Sequence, residues 1–246
     1  MQILLTVAYD GTAYSGWQRQ DNAIAVQQRL EEALSSLLQE EITVKAASRT
    51  DAGVHALGQR AAFFTKNLRI PIKKLPEVLT GFLPQDISVT AAVEVPDSFN
   101  PRFDARQKTY SYNMYNARIP NPLLARYSAF VPQALNSEAM AMAASHFVGA
   151  HDFAAFMATG SSAKTTTREV FACDVTQQEN GLITITITGG GFLYNMMRII
   201  AGTLVYVGLG KIAVEDVPSI ILSCDRTKAG KTMPPQGLVL LEVEYP

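Results

Sequence analysis

Apolar and polar positions in this chain change period several times, and the changes divide it into elements. Over residues 2–9, Ile3, Leu5, Val7 and Tyr9 share one face while Leu4 and Ala8 lie on the other, the pattern of a strand covered on both sides and therefore central in its sheet. Val26, Leu30, Ala33, Leu34 and Leu37 then recur at three- and four-residue spacing, which predicts an amphipathic helix with Asn22 as its cap. Ile42, Val44 and Ala46 alternate with Thr43, Lys45 and Ala47 as in a half-buried strand. Residues 59–65 and 87–95 read as further strands, separated by a short helix over 72–81 that begins at Pro71. The order in the first half is β-α-β-β-α-β.

The second half repeats that order: strand 109–115, helix 137–147, strands 168–176 and 182–188, helix 192–207 and strand 238–245. Ile183, Ile185 and Ile187 against Thr184, Thr186 and Thr188 give an unbroken period of two. Residues 214–224 add a helix before the last strand. The pattern predicts an α+β protein of two ferredoxin-like units, one over residues 1–105 and one over 106–246. Two such sheets joined edge to edge would leave a central cleft.

Composition narrows the class. In 246 residues, 48% hydrophobic content against 17% charged indicates a filled core rather than disorder. The longest apolar run, from Gly189 onward, is broken by glycines, Asn195 and Arg198, so no membrane span is expected. Met1-Gln2-Ile3 enters a strand pattern without a basic stretch, which argues against a signal peptide and for the cytoplasm. Cys173 and Cys224 are too few and too far apart for a zinc site or a disulfide framework. The formal charge is −1, with 10 basic against 12 acidic residues over 1–105 and 11 against 10 over 106–246. Composition therefore gives no sign of a nucleic-acid partner, and a basic surface would have to come from placement on one face or from two subunits pooling their patches.

Three stretches carry candidate chemistry. Arg49-Thr50-Asp51-Ala52-Gly53-Val54-His55-Ala56 follows the strand over 42–47, and Thr50 to Gly53 makes an ordinary turn, but a turn needs neither Arg49 nor His55. Tyr110 and Tyr112 share one face of a strand, where a plain aromatic pair is the simplest explanation. Arg198 is the single charged residue from Gly181 to Gly210, so its guanidinium should reach solvent or meet a carboxylate, and the glycines at 189–191 permit close backbone approach. The loop from Asp10 through Trp17 suits a capped turn with a packed Trp. The three histidines lack metal-ligand spacing, and Ala229-Gly230-Lys231-Thr232 lacks the earlier glycine of a phosphate-binding loop, so no metal and no cofactor is expected.

The octamer resembles the RTDxGVHA motif of the tRNA pseudouridine synthase A family, and Asp51 matches its catalytic aspartate. Tyr9 to Gln18 resembles the family's YDGTxYxGWQ run, Lys108 to Tyr112 its Arg/Lys-x-Tyr-x-Tyr motif, and Gly189 to Arg198 its GxGFLYNMVR motif, with Met197 in place of the usual valine. Thr80 and Arg60 also depart from the commoner Asn and Val. The resemblance implies two ferredoxin-like units around a catalytic cleft, Asp51 as the essential carboxylate, Tyr110 stacking on the target uracil and removing its C5 proton, Arg198 paired with Asp51, and Arg49 with Tyr110 at the substrate. It further implies a cofactor-free isomerase acting on uridines at positions 38, 39 and 40 in the tRNA anticodon stem-loop, as a homodimer. Asp51 would act either as nucleophile on the ribose or as base at its C2′.

Two other classes compete. A phosphohydrolase built on Asp10 would need a second carboxylate two residues earlier, where Ala8 stands. A non-catalytic RNA-binding sheet would need interleaved aromatics, which residues 182–188 lack.

Overall fold

The alternation over residues 2–9 becomes β1 (Gln2–Tyr9), with Ile3, Leu5 and Val7 fully buried on one face and Gln2 and Leu4 covered on the other. The computed structural model describes residues 1–66, 68–161 and 163–246, which divide into two units, Met1–Arg106 with Leu240–Pro246, and Gln107–Val239. The first unit continues with α1 (Val26–Leu38), β2 (Lys45–Ala46), β3 (His55–Phe64), α2 (Leu75–Leu79) and β4 (Ile87–Val95). The second contains β5 (Gln107–Asn116), β6 (Ala129–Val131), α3 (Ser137–Ala144), β7 (Gly149–Asp152), β8 (Thr167–Gln177), β9 (Leu182–Gly189), α4 (Met196–Gly208) and α5 (Val217–Ser223). The last strand is β10 (Leu238–Glu244), whose residues from Leu240 onward belong to the first unit.

In the first unit β1 is central, antiparallel to β3 on one side and to β4 on the other. The far edge of β3 takes β2, opposite Ala61 and Ala62, and β10. Val26, Leu30 and Leu34 of α1 and Leu75 and Leu79 of α2 are buried, as are Ile3, Leu5 and Val7 of β1, and α2 packs on β4. The chain end is tied in by Arg106 N–H donating to the Glu244 carbonyl at 2.8 Å and by the Tyr245 hydroxyl donating to the Pro101 carbonyl at 2.8 Å.

In the second unit the antiparallel order is β5-β9-β8-β7, with β6 parallel to β5. Ile183, Ile185 and Ile187 of β9 are fully buried, and Ile185 and Ile187 lie opposite Tyr112 and Tyr110. Almost every residue of α4 is buried, as its largely apolar sequence requires. Phe147, Phe153 and Phe156 form an edge-to-face cluster at centroid distances of 5.1 and 6.0 Å.

Several boundaries differ from the sequence pattern, each for a local reason. The first helix starts at Val26, and its cap position, Ala25, makes no side-chain bond, so Asn22 is not the cap. Its first N–H groups are satisfied instead by the preceding loop, Val26 donating to Gly16 and Gln27 to Trp17 at 3.2 and 2.9 Å. Of the strand expected over 42–47, only the end pairs with β3, through Lys45 and Ala46 and the Ala47 N–H on the Arg60 carbonyl at 2.8 Å, because both backbone groups of Val44 go to side chains of α1: its N–H to Glu31 and its carbonyl to Gln27. The strand expected from residue 59 begins at His55 and so includes the end of the octamer. The helix expected from residue 192 begins at Met196, because Asn195 adopts a left-handed conformation at φ 60° that no α-helix continues through. The helices expected over 72–81, 137–147 and 214–224 each divide into an α-helix and a 3-10 turn, and β6 and β7 are strands too short for a pattern to announce.

Glu31 is the polar hub of the first unit. It is buried, and it accepts from Arg19 at 3.0 Å, Gln27 at 2.9 Å and the Val44 N–H at 3.0 Å. Glu31→Ala would leave the Val44 N–H buried without an acceptor, so a loss of about 1–3 kcal/mol is expected from urea midpoints, and Glu31→Gln, which keeps an acceptor, should lose less.

Candidate active site

β1 and β3 place the octamer. Thr50 is buried, Asp51 half-buried and Arg49 exposed, and the Val54 N–H closes a turn onto the Asp51 carbonyl at 3.1 Å. Gly53 takes φ 76°, a value open to glycine at no cost, which is why the turn residue there is Gly.

The loop over residues 10–17 holds this turn from both sides. Trp17 N–H donates to the Thr50 carbonyl at 3.1 Å and Gly53 N–H donates to the Tyr14 carbonyl at 3.3 Å, so the backbone is fixed immediately before and two residues after Asp51. Thr50 Oγ1 is hydrogen-bonded to the Tyr9 hydroxyl at 2.7 Å, and the Tyr9 ring sits 5.7 Å from that of Trp17, which is buried. Both glycines of the loop are in contact with the octamer's backbone. A methyl group on Gly11 would run into the Val54 carbonyl, and one on Gly16, at φ 90°, would lie 2.5 Å from the Thr50 oxygen. Two motifs thirty-odd residues apart are one structural object.

His55 is a buried structural histidine in this arrangement. Its Nδ1 accepts the Gly11 N–H at 3.0 Å and lies 3.1 Å from Asp10 Oδ1, so each protonation state of that nitrogen serves one of the two partners. Asp10 itself caps the 3-10 turn Gly11–Ala13, accepting from the Thr12 N–H at 3.0 Å and its hydroxyl at 2.5 Å. A carboxylate used as a cap does not favour the phosphohydrolase alternative. The Tyr14 hydroxyl donates to Asp86 at 2.6 Å, and burial, followed by that bond, holds its pKa well above the ordinary phenol value.

In the second unit, β5 carries Tyr110 and Tyr112, both buried. Tyr110 meets the edge of Phe192 at 5.1 Å. The Tyr112 hydroxyl donates to the Pro234 carbonyl at 2.7 Å; burial raises its pKa, against the opposing pull of the Arg198 charge. Arg198, half-buried near the start of α4, donates Nε to the Met233 carbonyl at 2.7 Å and Nη1 to Asn195 Oδ1 at 2.6 Å. The Met233 carbonyl and the Asn195 amide oxygen thus hold the guanidinium, and neither Asn195 nor Met233 was a candidate from the sequence. Met233 had no local signal at all, while Asn195 did, being a residue type that tolerates the left-handed conformation. Among the described residues no three His, Cys, Asp or Glu side chains gather as a metal-holding group.

The family model for tRNA pseudouridine synthase matches residues 5–104 and 143–246. Proteins named tRNA pseudouridine synthase A from Caldicellulosiruptor bescii and Geotalea uraniireducens are each 50% identical to this chain, and one from Ruminiclostridium cellulolyticum is 47% identical, in every case over 99% of both chains. A chain in a solved Cbf5–Nop10–Gar1 complex aligns with 97% of this chain and 48% of its own length, at a TM-score of 0.39 and 10% identity.

The glycine contacts make a direct expectation. Gly11→Ala should displace the turn against Val54 and cost about 1–3 kcal/mol in thermal melts, with activity falling in step. Gly81→Ala, where the nearest atom is the Val78 oxygen at 3.6 Å, should melt close to the parent.

Proposed function

The chain belongs to the tRNA pseudouridine synthase family and is an isomerase of uridine in tRNA, and on that footing we propose that its targets are uridines 38, 39 and 40 of the anticodon stem-loop, with Asp51, Tyr110 and Arg198 carrying the reaction. A tRNA substrate implies work in the cytoplasm. We read each unit as ferredoxin-like: the antiparallel order β4-β1-β3-β2 is what a β-α-β-β-α-β chain gives, and β5-β9-β8 repeats its β1-β3-β2 portion. The first unit contributes Asp51 and Arg49, the second Tyr110 and Arg198.

The reaction breaks the bond from uracil N1 to ribose C1′, turns the base, and joins C5 to C1′; N1 gains a proton and C5 loses one, so nothing is oxidised and no co-substrate is consumed. The base must leave its stack to be handled in this way. Asp51 acts on the ribose, Arg198 keeps the carboxylate ionised by its charge, and Tyr110 stacks on the extruded uracil and receives the C5 proton. Arg49, exposed beside the turn, faces the phosphate backbone, and the stem-loop is recognised by its shape more than by base edges.

The observation that carries this reading is the clamped backbone around Asp51. A carboxylate that must approach one sugar carbon gains from a turn that cannot shift, since displacements of about 1 Å are costly to rate. The two neutral oxygens on Arg198 support its part in the same way, because they fix the direction of a charge without being charged themselves.

Asp51→Ala should abolish pseudouridine formation while tRNA affinity stays within about tenfold, or 1.4 kcal/mol. Parallel loss of binding and turnover would argue against a catalytic role. Arg198→Met, which keeps the apolar stem, should fold and fail in turnover, and Arg198→Lys should recover only part of the rate. A near-neutral subunit assembles a long basic surface most readily by pairing, so sedimentation at micromolar concentration should give about twice 26.8 kDa; a fully active monomer would refute the dimer.

A further inference from the structure

Residues 226–234 run against α4 at a distance that only glycine allows. A side-chain carbon on Gly202 would collide with the backbone of Lys231, 2.9 Å from its carbonyl carbon, and one on Gly230 would lie 2.5 Å from the Gly202 oxygen. The buried Gly230 N–H donates to Thr203 Oγ1 at 2.8 Å, and that hydroxyl donates to the Ile199 carbonyl at 2.9 Å, so Thr203 joins the segment to the helix through one oxygen. Arg226 closes the segment on itself, with Nη1 on the Gly230 carbonyl at 2.9 Å and Nη2 on Thr232 Oγ1 at 3.1 Å. At the far end, the Met233 N–H donates to the Arg198 carbonyl at 3.1 Å while the Met233 carbonyl accepts Arg198 Nε at 2.7 Å. The next carbonyl, of Pro234, is held by Tyr112.

We propose that residues 226–234 form a strap that sets the direction of the Arg198 guanidinium, with Thr203, Arg226 and Gly230 as positioning residues for the isomerisation. The helix alone does not fix this direction. An arginine near the first turn of α4 has several staggered side-chain conformers, and the Met233 carbonyl, presented at one place by the strap, selects among them together with Asn195 Oδ1. The stretch Ala229-Gly230-Lys231-Thr232, which superficially resembles a phosphate loop, thereby has a different use: its glycine seats a chain segment on a helix. The inference rests on the reading of Arg198 as the cation that serves Asp51.

Arg226→Met and Thr203→Val touch the strap without touching Arg198, and they are to be compared, in the full chain, with Thr203→Ser and Arg198→Met. Single-turnover rates on an unmodified tRNA transcript are measured from pH 5 to 9 and expressed per folded molecule from melting curves, with tRNA affinity measured separately. Arg226→Met and Thr203→Val should slow the chemical step by about tenfold or more, as a misdirected group does, with affinity unchanged within about threefold. The acid limb of their rate profile should move to higher pH, because a guanidinium aimed elsewhere favours the charged carboxylate less. Thr203→Ser should restore the parent rate. Parent rates per folded molecule in both strap variants, even with lower melting temperatures, would overturn the proposal, and so would a loss confined to affinity. An inactive Arg198→Met beside fully active strap variants sinks the strap alone; an active Arg198→Met sinks the reading of Arg198 beneath it.

Discussion

The carbonyl of Val54 occupies the place where a side chain on residue 11 would begin, and the carbonyl of Thr50 does the same for residue 16. These backbone approaches hold the first unit's chemistry together. They let the loop after β1 lie directly on the turn after β2, bringing the Trp17 and Gly53 N–H groups to their acceptors. They also bury Thr50 and His55 deeply enough for hydrogen bonds to Tyr9 and Gly11 to matter. Remove the close contact and the loop stands off by the width of a methyl group, after which none of those bonds has its length. The aspartate is aimed by packing of main chain on main chain, with side chains recruited afterwards.

The same device recurs in the second unit with different residues. Gly202 and Gly230 bring a loop onto α4, and a hydroxyl and a carbonyl then complete the attachment. Glycine is used here for what it lacks, in helix interior and loop alike, at an entropic cost in the unfolded chain that is recovered only through the close packing it permits.

β9 was legible from its unbroken alternation, a direct imprint of burial, and β1 from an apolar run covered on both faces. What was not legible depends on partners far along the chain. Residues 42–44 alternate as a strand should, yet the Val44 backbone is claimed by Gln27 and Glu31 and the Ile42 N–H by Ser35 Oγ, side chains of the helix before them. Asn22 offers a capping side chain, but the loop at Gly16 and Trp17 reaches the helix first. The same holds at the site. Asp51, Tyr110 and Arg198 lie in recognisable motifs, whereas the supporting pairs, Tyr9 with Thr50 across 41 residues and Arg198 with Met233 across 35, leave no local spacing to find. That β10 should serve the first unit is likewise invisible in its alternation, which any sheet edge would satisfy.

The placement of β10 bears on how the protein is made. Synthesis runs from the N-terminus, and the unit holding Asp51 takes its last strand from residues 240–244. On the ribosome this unit therefore has the edge of β3 uncovered while more than a hundred residues of the second unit are still being added, at about 5–20 residues per second. An open edge is a template for wrong pairing, and here it persists for seconds rather than milliseconds. The short β2 blunts part of it, capping Ala61 and Ala62 from within the unit before the proper neighbour arrives.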